Sequence, residues 1–246
     1  DHPQTLYTVK ALGQALHRQG RLAEAEPLYR MVYEKRKAAY GHDHRTTLNA
    51  ATQLAAGLVS LQRPAEAEPI LREVIAAMET RDEGRSPQFV ANLNILAGAL
   101  AQLDRLDEAL ALTERGIAIE DDIGAPNQDT LAARSQHATL LLRLGRVAEA
   151  SAEFTELLPL VESTLGREHV NFAIFSSQAA ACELAQQRFG LARQRLETVL
   201  PALEARFGPT HQRTREAYGR LAEAYAGLGD SVRAEEYKAK AEAPAE

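Results

Sequence analysis

The residues best equipped for chemistry are few. His42, Asp43 and His44 are consecutive, and two imidazoles beside a carboxylate could hold a divalent cation or move a proton. Cys182 is the single thiol and the obvious covalent nucleophile. Neither pattern goes further. No Cys/His set has zinc-type spacing, and no Gly-rich phosphate loop is present. His2, His44, His169 and His211 stand at equivalent places of a repeating sequence, so these histidines follow the repeat and not a reaction centre. Cys182 adjoins Ala179, Ala180 and Ala181 with no base beside it, which predicts a buried and inert thiol. The carboxylates are spread along helical stretches at solvent-facing spacing. No nucleophile, base and oxyanion donor converge, so the chain reads as a non-enzyme with no metal and no cofactor.

What must position these residues is one unit in six copies. A string ending in Ala recurs as GRLAEA from Gly20, QRPAEA from Gln62, DRLDEA from Asp104, GRVAEA from Gly145, QRFGLA from Gln187 and GDSVRA from Gly229. The steps are 42, 42, 41, 42 and 42 residues. Ala25, Ala67, Ala109, Ala150, Ala192 and Ala234 fill one small position, and Arg21, Arg63, Arg105, Arg146 and Arg188 fill another, with Asp230 in the sixth copy. A second small position is Gly13, Ala55, Ala97, Ala138, Ala180 and Ala222. Small residues there let two helices approach where a larger side chain would overpack by roughly 1–3 kcal/mol. Leu12, Leu16, Leu22, Tyr29, Leu54, Leu58 and Leu71 supply the bulk around them.

Each unit is expected to hold two helices, about residues 3–19 and 22–40 in the first copy, which makes twelve in all. Gly41, Gly84, Gly124, Gly166 and Gly208 are expected to close helices in the left-handed conformation. Pro3 and Pro87 should open helices, with Ser86 as an N-cap. Pro159 and Pro201 fall inside second helices, where each removes a backbone hydrogen bond and should bend its helix. Single helices of this length are marginal in water, so stacking must stabilise them. The stretch Phe172 to Ala185 is apolar on all sides, which predicts deep burial or a contact surface.

Composition excludes several classes. With 45% hydrophobic and 25% charged residues the chain is not disordered, and its 5% aromatics with abundant Ala and Leu favour helix over sheet. A net charge of −6, from 28 basic and 34 acidic residues, argues against nucleic acid as a partner. One cysteine excludes an internal disulfide framework. No apolar stretch is long enough to span a membrane and no signal peptide is evident, so no membrane contact and a cytoplasmic location are expected.

Leu12, Gly13, Leu16, Gly20, Leu22, Ala25 and Tyr29 carry the spacing of large and small residues by which the chain resembles the tetratricopeptide repeat family, over nearly its whole length. The 42-residue period, DHPQTL at Asp1 and the EAEPL strings at Glu24 and Glu66 are similar to its kinesin-light-chain type, common in bacterial proteins. The later copies depart from the pattern, with Glu183 where a large apolar residue is usual and Lys238 where an aromatic is usual. The resemblance implies an all-α, right-handed α-solenoid of six helix-turn-helix repeats. As one domain it would divide at about 1–42, 43–84, 85–125, 126–167, 168–209 and 210–246. It implies capping and packing roles for the recurrent histidines. A polar last helix, roughly Val232 to Glu242, and the residues 243–246 after it are expected to form a natural C-terminus of a larger protein.

In the family the first helix of each repeat lines a concave, partner-binding face. In copy one that implies Tyr7, Lys10, Gln14, His17 and Arg18, with Asn49 and Arg143 at the places of Tyr7 and Arg18 in copies two and four. One row reads Lys10, Thr52, Asn94, Ser135, Ser177 and Gly219, and could bond a peptide backbone. The next reads His17, Val59, Ala101, Leu142, Leu184 and Ala226, and could seat side chains. Leu142 and Leu184 could equally pack between neighbouring helices. Lys10, His17 and Arg18 are basic in the first copy, and Glu216 and Glu223 acidic in the last. Gln14 and Ala91 stand at two places where relatives that clamp a C-terminal carboxylate have Lys or Asn. The expected function is a scaffold that binds a protein or peptide in a bacterial signalling or assembly protein. The alternatives are a sensor for a short peptide or small ligand, and self-association into homo-oligomers.

Overall fold

The structure, a computed structural model, describes residues 3–124 and 127–243. Asp1, His2 and the last three residues, with the roles expected of them, lie outside the described residues. Twelve α-helices and no strand are found among the described residues. They are α1 (Pro3–Arg18), α2 (Leu22–Tyr40), α3 (Arg45–Ser60), α4 (Pro64–Thr80), α5 (Pro87–Gln102) and α6 (Leu106–Ile123) in one compact unit. A second unit holds α7 (Gln128–Arg143), α8 (Val147–Leu165), α9 (Val170–Ala185), α10 (Phe189–Phe207), α11 (Gln212–Gly227) and α12 (Ser231–Glu242). Odd-numbered helices are the first of each repeat and even-numbered ones the second.

The turn inside each repeat explains why the recurrent string starts as it does. Gly20, Gly145 and Gly229 have φ of 78, 76 and 81°. Gln62, Asp104 and Gln187 take the same left-handed conformation at φ of 59, 60 and 58°. In those three copies an L side chain sits where glycine is unstrained. The arginine that follows closes the first turn of the second helix. Arg21, Arg63, Arg105 and Arg146 each bind the glutamate three residues on through two nitrogens, at 2.6–2.8 Å. Arg188 lacks this partner because Leu191 replaces the glutamate.

Between repeats the expected caps are present. The Nδ1 atoms of His44, His169 and His211 accept the N–H two residues on, at 3.3, 3.2 and 3.2 Å. Ser86 Oγ and Asn127 Oδ1 do the same work in the other copies, accepting from Phe89 at 3.2 Å and from Asp129 at 2.8 Å. Tyr40 stacks on His44 and Phe207 on His211, with ring centroids 4.9 and 4.6 Å apart. Gly41, Gly124, Gly166 and Gly208 cap the preceding helices with positive φ. Gly84 does not. Helix α4 ends at Thr80 with Arg81 as its cap, and Asp82 takes the left-handed conformation, leaving Gly84 in the turn beyond. Pro159 and Pro201 lie inside α8 and α10, which run on unbroken past them. Pro27 and Pro69 occupy the interiors of α2 and α4 in the same way, a pair the expectation of two interior prolines left out.

Within each unit every helix packs on the next. Ala25, Ala67, Ala109, Ala150 and Ala192 are buried, as are Gly13, Ala55, Ala97, Ala138 and Ala180, while Ala234 and Ala222 of the last repeat are only half-buried. Tyr29 shows what the small residues are for. A Cβ on Gly13 would stand 3.0 Å from its ring, and one on Gly57 3.2 Å. The ring is thus held between α1 and α3. The core continues through Leu54, Leu58, Leu71, Phe89, Leu93 and Leu96 in the first unit and Leu131, Phe154, Leu157 and Leu196 in the second. Each such side chain stabilises the fold by roughly 1.5–3 kcal/mol on burial. Leu12, expected to pack beside Gly13, is 52% exposed, because its counterparts Leu54 and Leu96 are covered by the preceding repeat's second helix and α1 has none among the described residues. Helix α9 is buried against α8, α10, α11 and α7, so its apolar surround is core packing. Helix α12 buries no residue completely.

Candidate functional site: the face of the first helices

First helices of adjacent repeats pack against each other: α3 on α5, α7 on α9, and α9 on α11. Second helices do not approach one another to the same extent. Within each unit this puts the first helices on the inner side of the bend.

In the first unit Tyr7 is 70% exposed, Gln14 and Arg18 are exposed, and Lys10 and His17 are half-buried. Burial lowers the pKa of His17, so the imidazole is neutral at pH 7 and the positive charge of α1's inner face rests on Lys10 and Arg18. Asn49, Val59 and Asn94 are half-buried. The carbonyl of Val59 accepts a hydrogen bond from Gln102 Nε2 at 3.1 Å, tying α3 to α5. Thr52 is buried, and its hydroxyl donates to Asn92 Oδ1 at 2.7 Å. Asn94 lies close to α6, where a Cβ on Gly116 would meet its Oδ1 at 3.4 Å.

In the second unit Leu142 is half-buried and Arg143 exposed. Ser135 and Ser177 are buried, and both are bonded across the seam between first helices. Ser135 Oγ donates to Gln178 Oε1 at 2.6 Å, and Arg220 donates to Ser177 Oγ at 3.0 Å. Each of these two bonds joins residues 43 apart, one more than the usual repeat. Leu184 is 4% exposed and belongs to the core, which is the packing alternative for that residue. The row of small polar residues therefore serves first to hold neighbouring helices together.

Sequence reasoning missed what this seam creates. A cleft of about 260 Å³ opens where α9, α10 and the start of α11 meet. Helix α9 contributes Ile174, Ser177 and Gln178, α10 contributes Leu203, and α11 with its cap contributes His211, Gln212, Arg213, Glu216 and Arg220. Helical spacing aligns Arg213, Glu216 and Arg220 on one side of α11. Glu216 accepts from Gln212 at 3.0 Å and lies 3.5 Å from Arg220. Desolvation lowers the pKa of Arg220, against the pull of Glu216 and Glu223. Desolvation likewise lowers that of Arg213, against Glu216. Both remain guanidinium ions at neutral pH. Burial, aided by Arg213, also lowers the pKa of His211, in keeping with the neutral ring its capping bond requires. The sequence signal for the cleft was the 43-residue offset between Ser177 and Arg220, visible once the partner helix is known.

The residues weighed for chemistry are spent elsewhere. Cys182 is a free, buried thiol whose pKa burial pushes up to about 11, which makes it a poor nucleophile. His42 binds Asp43 at 2.9 Å and Glu73 at 3.0 Å, which raise its pKa and join the loop to α4. No group of three or more His, Cys, Asp or Glu suited to a metal occurs among the described residues. No helix among them is long and apolar enough to cross a membrane.

The sequence pattern described as tetratricopeptide repeat matches residues 1–80 and 171–243, together more than half of the chain, and a second pattern of that description matches residues 131–154. No curated protein matches the sequence. Among solved structures, the fold is similar to the kinesin light chain nearly identical TPR-like repeats of Podosopora anserina, with a TM-score of 0.66 at 22% identity over 83% of this chain and 98% of that one. It is similar to BtubC (BKLC) from P. vanneervenii, with a TM-score of 0.71 at 16% identity over 89% of both chains. It is also similar to a Rap protein complexed with competence and sporulation factor, with a TM-score of 0.70 at 12% identity over 94% of this chain and 72% of that one. At these identities the likeness is one of fold, an α-solenoid of helix-turn-helix repeats.

Proposed function

From the premise that the chain belongs to the tetratricopeptide repeat family, we propose that it is a non-catalytic protein-interaction module that binds a peptide or helical segment of a partner along its first helices. The observation that supports this most is the inward face itself. It combines half-exposed polar and apolar side chains, among them Asn49, Val59, Asn94 and Leu142, with the cleft beside α11. Backbone-bonding groups next to apolar seats suit an extended or helical ligand. The setting we infer is a signalling or assembly protein of bacterial type.

A second reading is a sensor whose ligand is a short peptide. It is favoured by the similarity to the Rap protein solved with competence and sporulation factor. Both readings use the same face and differ in what the ligand causes. A peptide that changes small-angle scattering of the chain on binding favours the sensor, and one that leaves it unchanged favours the scaffold.

The test is positional photo-crosslinking in a lysate of the source cells. Benzoylphenylalanine at Gln53 on α3 and Thr139 on α7 samples the first helices, and the same residue at Ala38 on α2 and Glu156 on α8 samples the second. The expected result is one protein captured from the first-helix positions and not from the second. Capture only from Ala38 and Glu156 would overturn the assignment to this face.

A further inference from the structure

Helix α1 and the pair α11–α12 each show one half of a joint that the chain builds between its own repeats. In that joint a first helix seats on both helices of the repeat before it, as α5 does on α3 and α4 and α11 does on α9 and α10. Helix α1 has no such cover among the described residues. Leu12 is 52% exposed, against 1% for Leu54 and 2% for Leu96 at the same place. Thr5 and Thr8 are exposed, whereas their counterparts Thr47 and Ala50 are buried. The other half is a groove of about 380 Å³ between α11 and α12, lined by Ala222, Ala226, Ala234 and Lys238. One repeat earlier the same places hold Ala180, Leu184, Ala192 and Leu196, all buried where α11 packs.

Charge fixes which surface fits this groove. In the first unit the arginine that opens a second helix also reaches back one repeat. Arg105 holds Glu108 through Nε and Nη2 and Glu68 through Nη1, the last at 2.7 and 2.8 Å. Arg63 holds Glu66 in the same way, with Nη1 3.7 Å from Glu26. Arg21 holds Glu24 through Nε and Nη2, and its Nη1 has no partner among the described residues. The row that receives these arginines runs Glu26, Glu68, Leu110, Ser151, Arg193 and Glu235. Glutamate thus returns in the last repeat, where Glu235 is exposed and forms no ion pair among the described residues. Glu242 beside it is likewise unpaired, Glu223 has Arg220 acting near it, and Lys238 is the one cation of the lining. Helix α1 carries Lys10 and Arg18 and no acidic residue. Two α1 helices would therefore repel, whereas α1 and the groove attract.

We propose that copies of this chain associate head to tail, with α1 of one copy seated in the α11–α12 groove of another and Arg21 of the first paired with Glu235 of the second. The in-chain joints give the register. Leu12 enters the groove, and Arg18, at the place of Gln102, reaches the Ala226 carbonyl as Gln102 reaches that of Val59 at 3.1 Å. The contact is heterologous, each copy offering one face of each kind. Lys238 makes it weaker than the in-chain joints, because Leu71, Phe154 and Leu196 fill its place there and its ammonium must stay hydrated at the groove edge. Association is therefore reversible and rises with concentration. It makes no use of the peptide-binding reading of the first helices.

Sedimentation velocity of the purified chain, from micromolar to millimolar concentration, tests the joint together with variants of unchanged helical circular dichroism. Leu12 and Ala226 are exposed, so Leu12→Glu and Ala226→Lys are compatible with folding. The expected result is a mass that grows with concentration for the chain and stays at one copy for either variant alone. An equimolar mixture of the two should recover a two-copy species, because each retains the face the other has lost. Arg21→Glu and Glu235→Arg should each weaken association by roughly fivefold, the upper range for an exposed pair, and their mixture should restore it. Lys238→Leu should tighten association, and not when combined with Leu12→Glu. A single-copy mass at every concentration would overturn the proposal, as would association that survives Leu12→Glu. Loss in Leu12→Glu with full association of Ala226→Lys alone would show α1 pairing with α1, which also overturns it. Association indifferent to both charge reversals would overturn the Arg21–Glu235 register.

Discussion

In residues 3–124 a ladder of charge on the second helices is added to the buried bond of Thr52 to Asn92 and the stack of Tyr40 on His44, whereas in residues 127–243 the repeats are joined by buried polar bonds and aromatic rings without such a ladder among the described residues. In the first unit Arg105 binds Glu108 of its own helix and Glu68 of the helix before it, at 2.6–2.8 Å. Arg72 spans Glu68 and Glu108 at 2.8 and 3.2 Å, and Arg30 spans Glu26 and, at 3.6 Å, Glu66. In the second unit the corresponding positions are Ser151, Arg193 and Leu191, and no such ladder connects α8 to α10 among the described residues. Its repeats meet instead through Ser135 with Gln178, Ser177 with Arg220, Tyr218 with Glu204 at 2.6 Å, Tyr225 with Glu197, and a stack of Phe207 on His211 at 4.6 Å. The same backbone template is therefore stabilised in two ways. Exposed ion pairs each contribute little and fade with salt, and buried packing contributes most of the stability. The cleft lined by Arg213 and Arg220 forms in the second unit.

The largest expected effect that sharpens this contrast is in the core. Phe154, 2% exposed, fills the place held by Leu71 in the first unit. Phe154→Ala should cost about 3–5 kcal/mol. Cys182 reports where the loss falls, because its buried thiol should react with a disulfide reagent only when the second unit opens. Phe154→Ala should speed that labelling, and Glu68→Gln should not. Equal acceleration by both would break the distinction between the units.

Next is Gly227, whose Cβ would stand 2.4 Å from two atoms of the Phe189 ring. Gly227→Ala should destabilise the chain by roughly 1–3 kcal/mol in denaturant unfolding, through overpacking of the second unit. Smaller still is the ladder. The hydrogen bond from Arg72, and then that from Arg105, holds the Glu68 pKa below the usual 4.5. A carboxylate depressed in the folded state contributes stability above its unfolded value, and that contribution is lost as pH falls through the folded one. Acid below about pH 4.5, or salt raised to about 1 M, should therefore loosen hydrogen-exchange protection in α2, α4 and α6 before α8 and α10. The smallest effect serves as a control, since it is shared. Gln62→Gly and Gln187→Gly relieve the same left-handed turn and should each stabilise by about 0.5 kcal/mol, one in each unit.

The fold was legible because a solenoid repeats its constraints. Six copies of one string placed twelve helices, and the recurring histidines marked helix starts that His44, His169 and His211 do cap. Exceptions arose where one copy solved a local problem differently. Asp82 in place of Gly84 is such a case, since a left-handed residue can be Asp or Gln as well as Gly. The site was less legible for a different reason. Register told which residues share a row, but not which rows touch. Thr52, Ser135 and Ser177 read as free hydrogen-bonding groups until their partners on the next helix are known. The cleft needs Leu203 of α10 behind residues of α9 and α11, a juxtaposition no single row contains.

The most direct test of the central claim, that ligand binds along the first helices, is hydrogen–deuterium exchange of the chain with and without a peptide selected from a random library. The account predicts slowed exchange in α3, α5, α9 and α11. Slowed exchange confined to the second helices, α2, α4, α6, α8, α10 and α12, would contradict it.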